Sequence, residues 1–398
     1  MSSAIQLNGG VRPKLPPTHY LDNRIYTDQA LYHRELREIF GKQWKFVCHE
    51  SEVPNIRDFR RVNFAGQDIV IVRGEDGDIR AFHNACPHRG SKVIRTIAGN
   101  LPQDRITCFY HMWSFNTRGE CLNISQDHGY KGCGVDREGA SLRSVRLQNL
   151  FGLVFVCLHE DTPPLEECLG QEVIAAMTIP WSSELEVFHI HRQKINANWK
   201  LFVETNCEGY HELLHRLNRT TGLSMKGYSD RQWHLHPNGH AYLDQVSIGY
   251  DRYAGMKRDE ETLPGMDPNG HVVVDIFPDT MLNCRATTGR IDTLIPLGPN
   301  QTILECRGIG LKGDTPEVRE TRIRHHNQVW GPTGTNLPED IWAVEVQMEN
   351  MRSGSSQYSV IAREEEGSMS DAPLRGFYQV WRTLVESCSH DIDAPYNI

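Results

Sequence analysis

The chain has 398 residues, 42 Lys+Arg against 51 Asp+Glu, and a formal net charge of −9. That length indicates two or three domains and excludes a small disulfide-held scaffold. The acidic balance argues against a phosphate backbone or an anionic lipid surface as partner, and the longest apolar run, 150–158, falls well short of the roughly 20 residues a bilayer needs.

Residues 1–10 show neither a basic segment nor an apolar core, so no secretory leader is read and a soluble, cytoplasmic protein is expected, with no nucleic acid and no membrane as partner. Residues 1–43 begin with Pro13, Pro16 and Pro17. A helical pattern follows from Asp28 to Phe40, and its few apolar positions, Leu31, Leu36 and Ile39, predict a segment that packs on a later domain. Over 44–160 the pattern changes to short β-type runs at 45–48, 68–72, 79–82 and 150–158, with a Gly/Asp-rich hairpin signal at 74–78. These predict a small all-β domain. Residues 159–165 are polar and Pro-containing, and beyond them β-like runs at 186–191, 271–277 and 302–311 mix with helical stretches. A larger α+β domain is expected over 161–398.

Two constellations carry the chemistry. Cys86-Pro-His88 and Cys108-Phe-Tyr-His111 each place one Cys and one His on a tight loop. Four such ligands make a closed metal site, either one zinc ion or a two-iron, two-sulfide cluster in which two His replace two Cys on one iron. Zinc modules usually pair like with like, whereas each loop here supplies one ligand of each kind, which favours the cluster. Replacing thiolates by imidazoles raises the potential, so this is expected to be an electron relay. Phe109, Tyr110 and Trp113 are expected to shield it.

The second constellation lies in 198–215, read as one helix. At about 100° per residue, Glu204, Glu208, His211 and His215 share a face. Two His and one carboxylate would leave open positions on ferrous iron, the arrangement used to activate O₂. The rival is zinc hydrolysis, since His211-Glu212-Leu-Leu-His215 matches the His-Glu-x-x-His pattern with Glu212 as base. An upstream electron relay argues against it. Spacing leaves the carboxylate ligand open between Glu208 and the adjacent pair Glu339 and Asp340. Val274, Ile276, Phe277, Leu282 and Asn283 are taken as a strand lining a cleft, and His234, His236 and His240 as a His-rich surface loop without metal.

Together these motifs resemble the large (alpha) subunit of Rieske non-haem iron ring-hydroxylating oxygenases. Trp44 with 49–54, the two Cys/His loops, Asn198-Trp-Lys200, Glu208-Gly-Tyr-His211, 331–340 with Gln347, and 374–381 carry the likeness, which spans nearly the whole chain. It implies an all-β Rieske [2Fe-2S] domain held by Cys86, His88, Cys108 and His111. It also implies a catalytic domain with a helix-grip-like antiparallel sheet flanked by helices. His211, His215 and Asp340 become the ligands of mononuclear Fe²⁺, with Glu339 in reserve, and Glu208 becomes the acidic bridge that passes electrons between subunits. Two departures stand out: three residues separate the two His where the family usually has four, and Glu replaces Asp at the bridge, as in the quaternary-ammonium branch. The resemblance further implies a terminal oxygenase fed with NAD(P)H electrons by a reductase, with or without a ferredoxin. A homotrimer or α3β3 assembly with a small beta subunit is also implied. The expected substrate is a carboxylated aromatic, with a small aliphatic sulfonate or quaternary amine as the alternative. From other classes, an iron–sulfur electron-transfer protein and a zinc hydrolase remain as rivals.

Overall fold

The computed structural model describes residues 12–217, 230–247, 261–268 and 270–386, and the leader-less reading of residues 1–10 lies outside them. The chain divides into two compact units. One is Phe40–Leu165, and the other joins Glu166 onward to the residues up to Ile39.

In the first unit, a seven-strand antiparallel sheet runs in the order Lys45–His49, Leu153–Cys157, Ser144–Leu150, Ile79–His83, Gln67–Arg73, Asp58–Phe64 and Ala98–Asn100. The expected hairpin is present: Arg73 pairs with Ile79, and Gly77 takes φ 86°, a conformation that suits glycine. The apolar run 150–158 is not one strand. Leu150 pairs with Leu153 across Phe151 and Gly152, both at positive φ, so a two-residue hairpin turn splits it. Phe59, Val70, Phe82, Trp113 and Phe115 form a core that includes Cys86 and Cys108.

The second unit is built on another seven-strand antiparallel sheet among the described residues. Its order is Leu185–Ile195, Gln301–Leu311, Thr288–Gly298, Thr280–Arg285, Gly270–Ile276, Ala241–Ser247 and Trp233–Leu235. The Pro316–Trp330 helix packs on Gln301–Leu311 and Thr288–Gly298 and the Ala372–Glu386 helix on the far edge, so the α+β expectation of a sheet flanked by helices holds. Leu374, Phe377, Tyr378, Trp381 and Val385 recur at helical spacing and form the buried face of the latter helix.

The N-terminal helix Gln29–Glu35 starts where Asp28 accepts from Leu31 N at 2.7 Å, and continues into a π-helical turn at Leu36–Phe40. It gains its core from the larger unit. Buried Glu35 accepts from Trp199 Nε1 and Trp381 Nε1, both at 2.8 Å, and pairs with fully buried Lys200. A carboxylate removed from water is tolerated because each oxygen has a donor.

Candidate metal centres and active site

The two Cys/His loops have the same backbone. Cys86 N donates to Ser91 O and Cys108 N to Trp113 O, both at 2.8 Å; Gly90 N returns to Cys86 O and Met112 N to Cys108 O at 2.8 and 3.0 Å. Gly90 and Met112 occupy equivalent places at φ 71° and 59°. The loops therefore present Cys86 with His88, and Cys108 with His111, as two like jaws, and the His88 and His111 rings stand 4.5 Å apart. Tyr130 Oη engages His88 Nε2 at 3.2 Å, which leaves Nδ1 for a metal, and His111 Nδ1 is buried without a hydrogen-bond partner. Burial pushes the Cys86 thiol up to about 11, so a buried thiolate here calls for a cation. This donor set fits a [2Fe-2S] cluster bound at one iron by two thiolates and at the other by two imidazoles. Trp113 stacks on His88 at 4.8 Å and is buried, as expected of a shield. Phe109 and Tyr110 are not: both are about half exposed and lie under the guanidinium groups of Arg95 and Arg89.

The stretch 198–215 is two helices, not one. Asn198 caps the first, Trp199–Glu204, by accepting from Lys200 N, while its amide donates to Tyr26 O and Pro299 O. Thr205, Asn206 and Gly209 are poor helix formers, and Gly209 N donates instead to Ser368 O at 2.9 Å. The second helix begins at Glu212. Glu204 consequently leaves the expected face. It accepts from Tyr26 Oη at 2.7 Å and from Tyr378 Oη, and burial raises it to about 7 against the opposing effect of those hydroxyls.

The remaining residues converge. His211 and His215, one turn apart, have ring centroids 5.5 Å apart, and Asp340 arrives from the first turn of the Leu337–Ser353 helix. Asp340 Oδ1 lies 3.6 Å from His211 Nε2 and 3.2 Å from His215 Nε2, and one ligand atom from each residue falls within 4.8 Å of the others. The far nitrogens are held by the other two acids: His211 Nδ1 is 2.9 Å from Glu208 Oε1, and His215 Nδ1 is 2.6 Å from Glu339 Oε2. Carboxylates on the outer nitrogens fix the tautomer and turn both Nε2 atoms inward. Burial acts to lower His211, but Glu208 and Asp340 outweigh it and hold the imidazole at about 10. Asp340 Oδ1 is buried and accepts no well-directed hydrogen bond. These features fit a divalent ion held by two imidazoles and one carboxylate.

The cavity beside this centre is lined by Arg231, Trp233, His271, Asn283, Arg285, Arg290 and Trp330. Strand alternation corrects the expected lining. Asn283 pairs with Val273 and both face the cavity, while Val274, Ile276, Phe277 and Leu282 are buried and absent from its wall. His271 Nδ1 meets Arg231 Nη1 at 2.9 Å, its Nε2 meets Asn283 Oδ1 at 3.0 Å, and burial plus the guanidinium groups of Arg231 and Arg285 hold it well below its ordinary value. No spacing or motif marks the arginines, which come from a loop (Arg231) and two strands (Arg285 and Arg290). Nor are His234, His236 and His240 simply a surface loop. His234 is in a strand stacked on Tyr242, and His240 is buried, contacting Phe277 N and Cys168 O.

Two iron-type sites on a β unit and a helix-flanked antiparallel sheet define a Rieske-type oxygenase. Residues 43–134 match the Rieske [2Fe-2S] domain and residues 182–387 the ring hydroxylating alpha subunit (catalytic domain). The 2-aminobenzenesulfonate 2,3-dioxygenase alpha subunit of Alcaligenes sp. is 39% identical over 94% of this chain and 96% of its own. The methanesulfonate monooxygenase hydroxylase alpha subunit of Methylosulfonomonas methylovora is 36% identical over 97% and 95%. Among solved structures, naphthalene 1,2-dioxygenase from Rhodococcus sp. shares the fold at a TM-score of 0.80 and 20% identity, covering 93% of this chain and 95% of its own. The chain belongs to the ring-hydroxylating family of Rieske oxygenases, as an alpha subunit. It is an oxidoreductase that incorporates O₂ and carries a Rieske cluster and a mononuclear iron; alpha subunits of this kind work with reductase or ferredoxin partners and often with a beta subunit. The zinc-hydrolase and simple electron-carrier readings fall with that assignment. No described helix is long and apolar enough to cross a membrane.

Proposed function

We propose that this alpha subunit oxygenates an organic anion bearing a sulfonate or carboxylate, with an aromatic sulfonate as the first choice. The carrying observation is the cavity wall: Arg231 and Arg285 stand in it beside Glu208, Glu212 and Asp340, Arg290 is there too but paired with Asp292, and a ferrous ion adds two positive charges. A concave site that sets guanidinium groups beside a bound cation favours an anion. Trp233 and Trp330 in the same wall suit a flat ring. The names of the 39% and 36% identical relatives point to sulfonates, which supports that choice over the carboxylate.

In this reading Cys86, His88, Cys108 and His111 hold the cluster, and His211, His215 and Asp340 hold the iron. When bound, the two groups supply one-electron relay and O₂ activation. Glu339 and Glu208 keep both imidazoles oriented with Nε2 inward. Glu208 also lines a second cavity, with Tyr210 and Arg363, which suits it to connect the iron centre to an electron donor outside this unit. Electrons come from a separate NAD(P)H-dependent reductase, directly or through a ferredoxin, and the assembly is a trimer of alpha subunits with or without beta subunits. A literal Gly-x-Gly-x-x-Gly spacing at 308–313 does not speak for bound nucleotide, because Gly308 and Gly310 sit inside an antiparallel strand. A cytoplasmic location agrees with ten described cysteines, all free.

The test is O₂ uptake and product analysis with reduced holoenzyme across matched aryl sulfonates, aryl carboxylates and neutral isosteres. Anions should be preferred, and Arg285→Gln should raise KM for them at least about tenfold, which is 1.4 kcal/mol. Equal turnover of neutral isosteres, with no response to Arg285→Gln, would sink the proposal.

A further inference from the structure

Outside the iron centre, a second group of imidazoles converges in the larger unit. His189 and His191 stand two residues apart on the edge strand Leu185–Ile195, and His326 faces them from the Pro316–Trp330 helix. Ring centroids are 5.5 Å apart for His189 and His191, 5.7 Å for His189 and His326, and 6.5 Å for His191 and His326. One nitrogen from each lies within 4.8 Å of the others.

The local structure is shaped to bring them together. His189 and His191 share one face by strand alternation, directly after a register shift between Val187 and His189. Gly308, the register partner of His189, leaves room beside it: a Cβ there would meet Phe188 Cε2 at 2.6 Å and His326 Cδ2 at 3.2 Å. On the helix, His325 turns the other way and bonds Thr287 Oγ1 at 2.6 Å, which fixes the rotation that presents His326.

The nitrogens these rings offer are unused. His189 Nε2 and both ring nitrogens of His191 and His326 are buried without a hydrogen-bond partner, and His326 is 0% exposed. Each is a group whose desolvation must be offset by a donor, an acceptor or an ion. Burial pushes His191 down to about 4 and His326 well below its ordinary value, so both keep a lone pair at neutral pH. The neighbouring positive charge, Arg290, is paired with Asp292 at 2.9 Å.

We propose that His189, His191 and His326 form a second metal site, for a divalent cation of the zinc class. The donor set is three neutral imidazoles, with neither the carboxylates that calcium and magnesium require nor a thiolate for softer ions. Nitrogens within 4.8 Å of one another could close on an ion at the usual Zn–N distance of about 2.0–2.1 Å, leaving a fourth position for water. The ion ties the edge strand of the sheet to the helix that ends in Trp330, a wall residue of the catalytic cavity.

The experiment uses untagged holoenzyme with its cluster and iron in place. One equivalent of Zn²⁺ is added, the protein is desalted, and zinc is counted by mass spectrometry and examined by zinc K-edge X-ray absorption. Retention of about one zinc per chain with an imidazole-rich shell is expected. Asp340→Asn should keep that zinc, while His191→Gln and His326→Gln should each weaken its binding at least tenfold. Loss of zinc in Asp340→Asn would place it at the catalytic centre and overturn the proposal. Undiminished binding in both His variants would do the same. Should those variants fold poorly, the wild-type absorption spectrum decides, since a shell without imidazole scattering rejects the site.

Discussion

His215 Nδ1 lies 2.6 Å from Glu339 Oε2, while its Nε2 lies 3.2 Å from Oδ1 of Asp340, the next residue in the chain. Consecutive positions on a helix point about 100° apart, so the first turn of the Leu337–Ser353 helix can grip one imidazole from two sides. One acid orients the ring and its neighbour stands where a ligand is needed. Glu339→Ala should therefore lower iron affinity about 10–100-fold while leaving the acid-labile sulfide content unchanged. Iron and sulfide analysis after dialysis checks this, and unchanged iron retention would show that Glu339 does not position His215.

The same carboxylates set a pH dependence. With His211 held at about 10, its ring is an imidazolium at neutral pH before metal arrives, and Asp340 shifts His215 in the same direction. Ligation at Nε2 displaces a proton, so affinity for Fe²⁺ should rise with pH, about tenfold per unit for each proton released. Anaerobic calorimetry in two buffers of different ionisation enthalpy measures the release directly. Binding without proton release at pH 7 would contradict the geometry.

Glu204 makes a stability prediction of the opposite sense. Its folded value of about 7 lies above its ordinary 4.5, so the folded chain holds a proton that the unfolded chain loses. The contribution is complete below about 4.5 and disappears as pH rises through about 7, up to about 3 kcal/mol. Glu204→Gln keeps an acceptor for Tyr26 and Tyr378 without the charge. Its denaturation midpoint should exceed that of the parent at pH 8 and approach it at pH 5, with cluster and iron contents unaltered.

Tyr130 should tune the cluster. With Nδ1 of His88 given to iron, Nε2–H donates to Tyr130 Oη at 3.2 Å, which enriches the imidazole and favours the oxidised state. Tyr130→Phe should raise the reduction potential by about 20–60 mV, the equivalent of one ordinary hydrogen bond in a one-electron couple. Protein-film voltammetry reads the shift; a fall in potential would reverse the assigned direction of that bond.

Much of the relay was legible because its ligands are local. Cys86 with His88, and Cys108 with His111, each fall within a single loop, and loop chemistry is written in adjacent residues. The iron centre was only partly so. His211 and His215 announce themselves by spacing, but the expected helix through 198–215 misplaced Glu204, since periodicity ignores the break that Gly209 and Ser368 impose through a tertiary hydrogen bond. The lining strand was located correctly near 271–285, but of the residues expected to line it only Asn283 does: the cavity side is the polar alternation of His271, Asn283 and Arg285, and the apolar residues taken for the lining pack on the other face.

By itself, the order of residues determined which atoms are available for metals: the paired Cys/His loops, the two histidines one turn apart, and the choice among Glu208, Glu339 and Asp340. Only the tertiary structure assigned those three acids, with Asp340 at the converging point and Glu208 and Glu339 behind the imidazoles. It alone gathered Arg231, Arg285 and Arg290 into one wall, and His189, His191 and His326 into one cluster. The physical reason is range. A loop or a helical turn fixes neighbours through backbone geometry, whereas residues more than a hundred positions apart meet only when sheet register and helix packing have been decided by the burial of the whole chain.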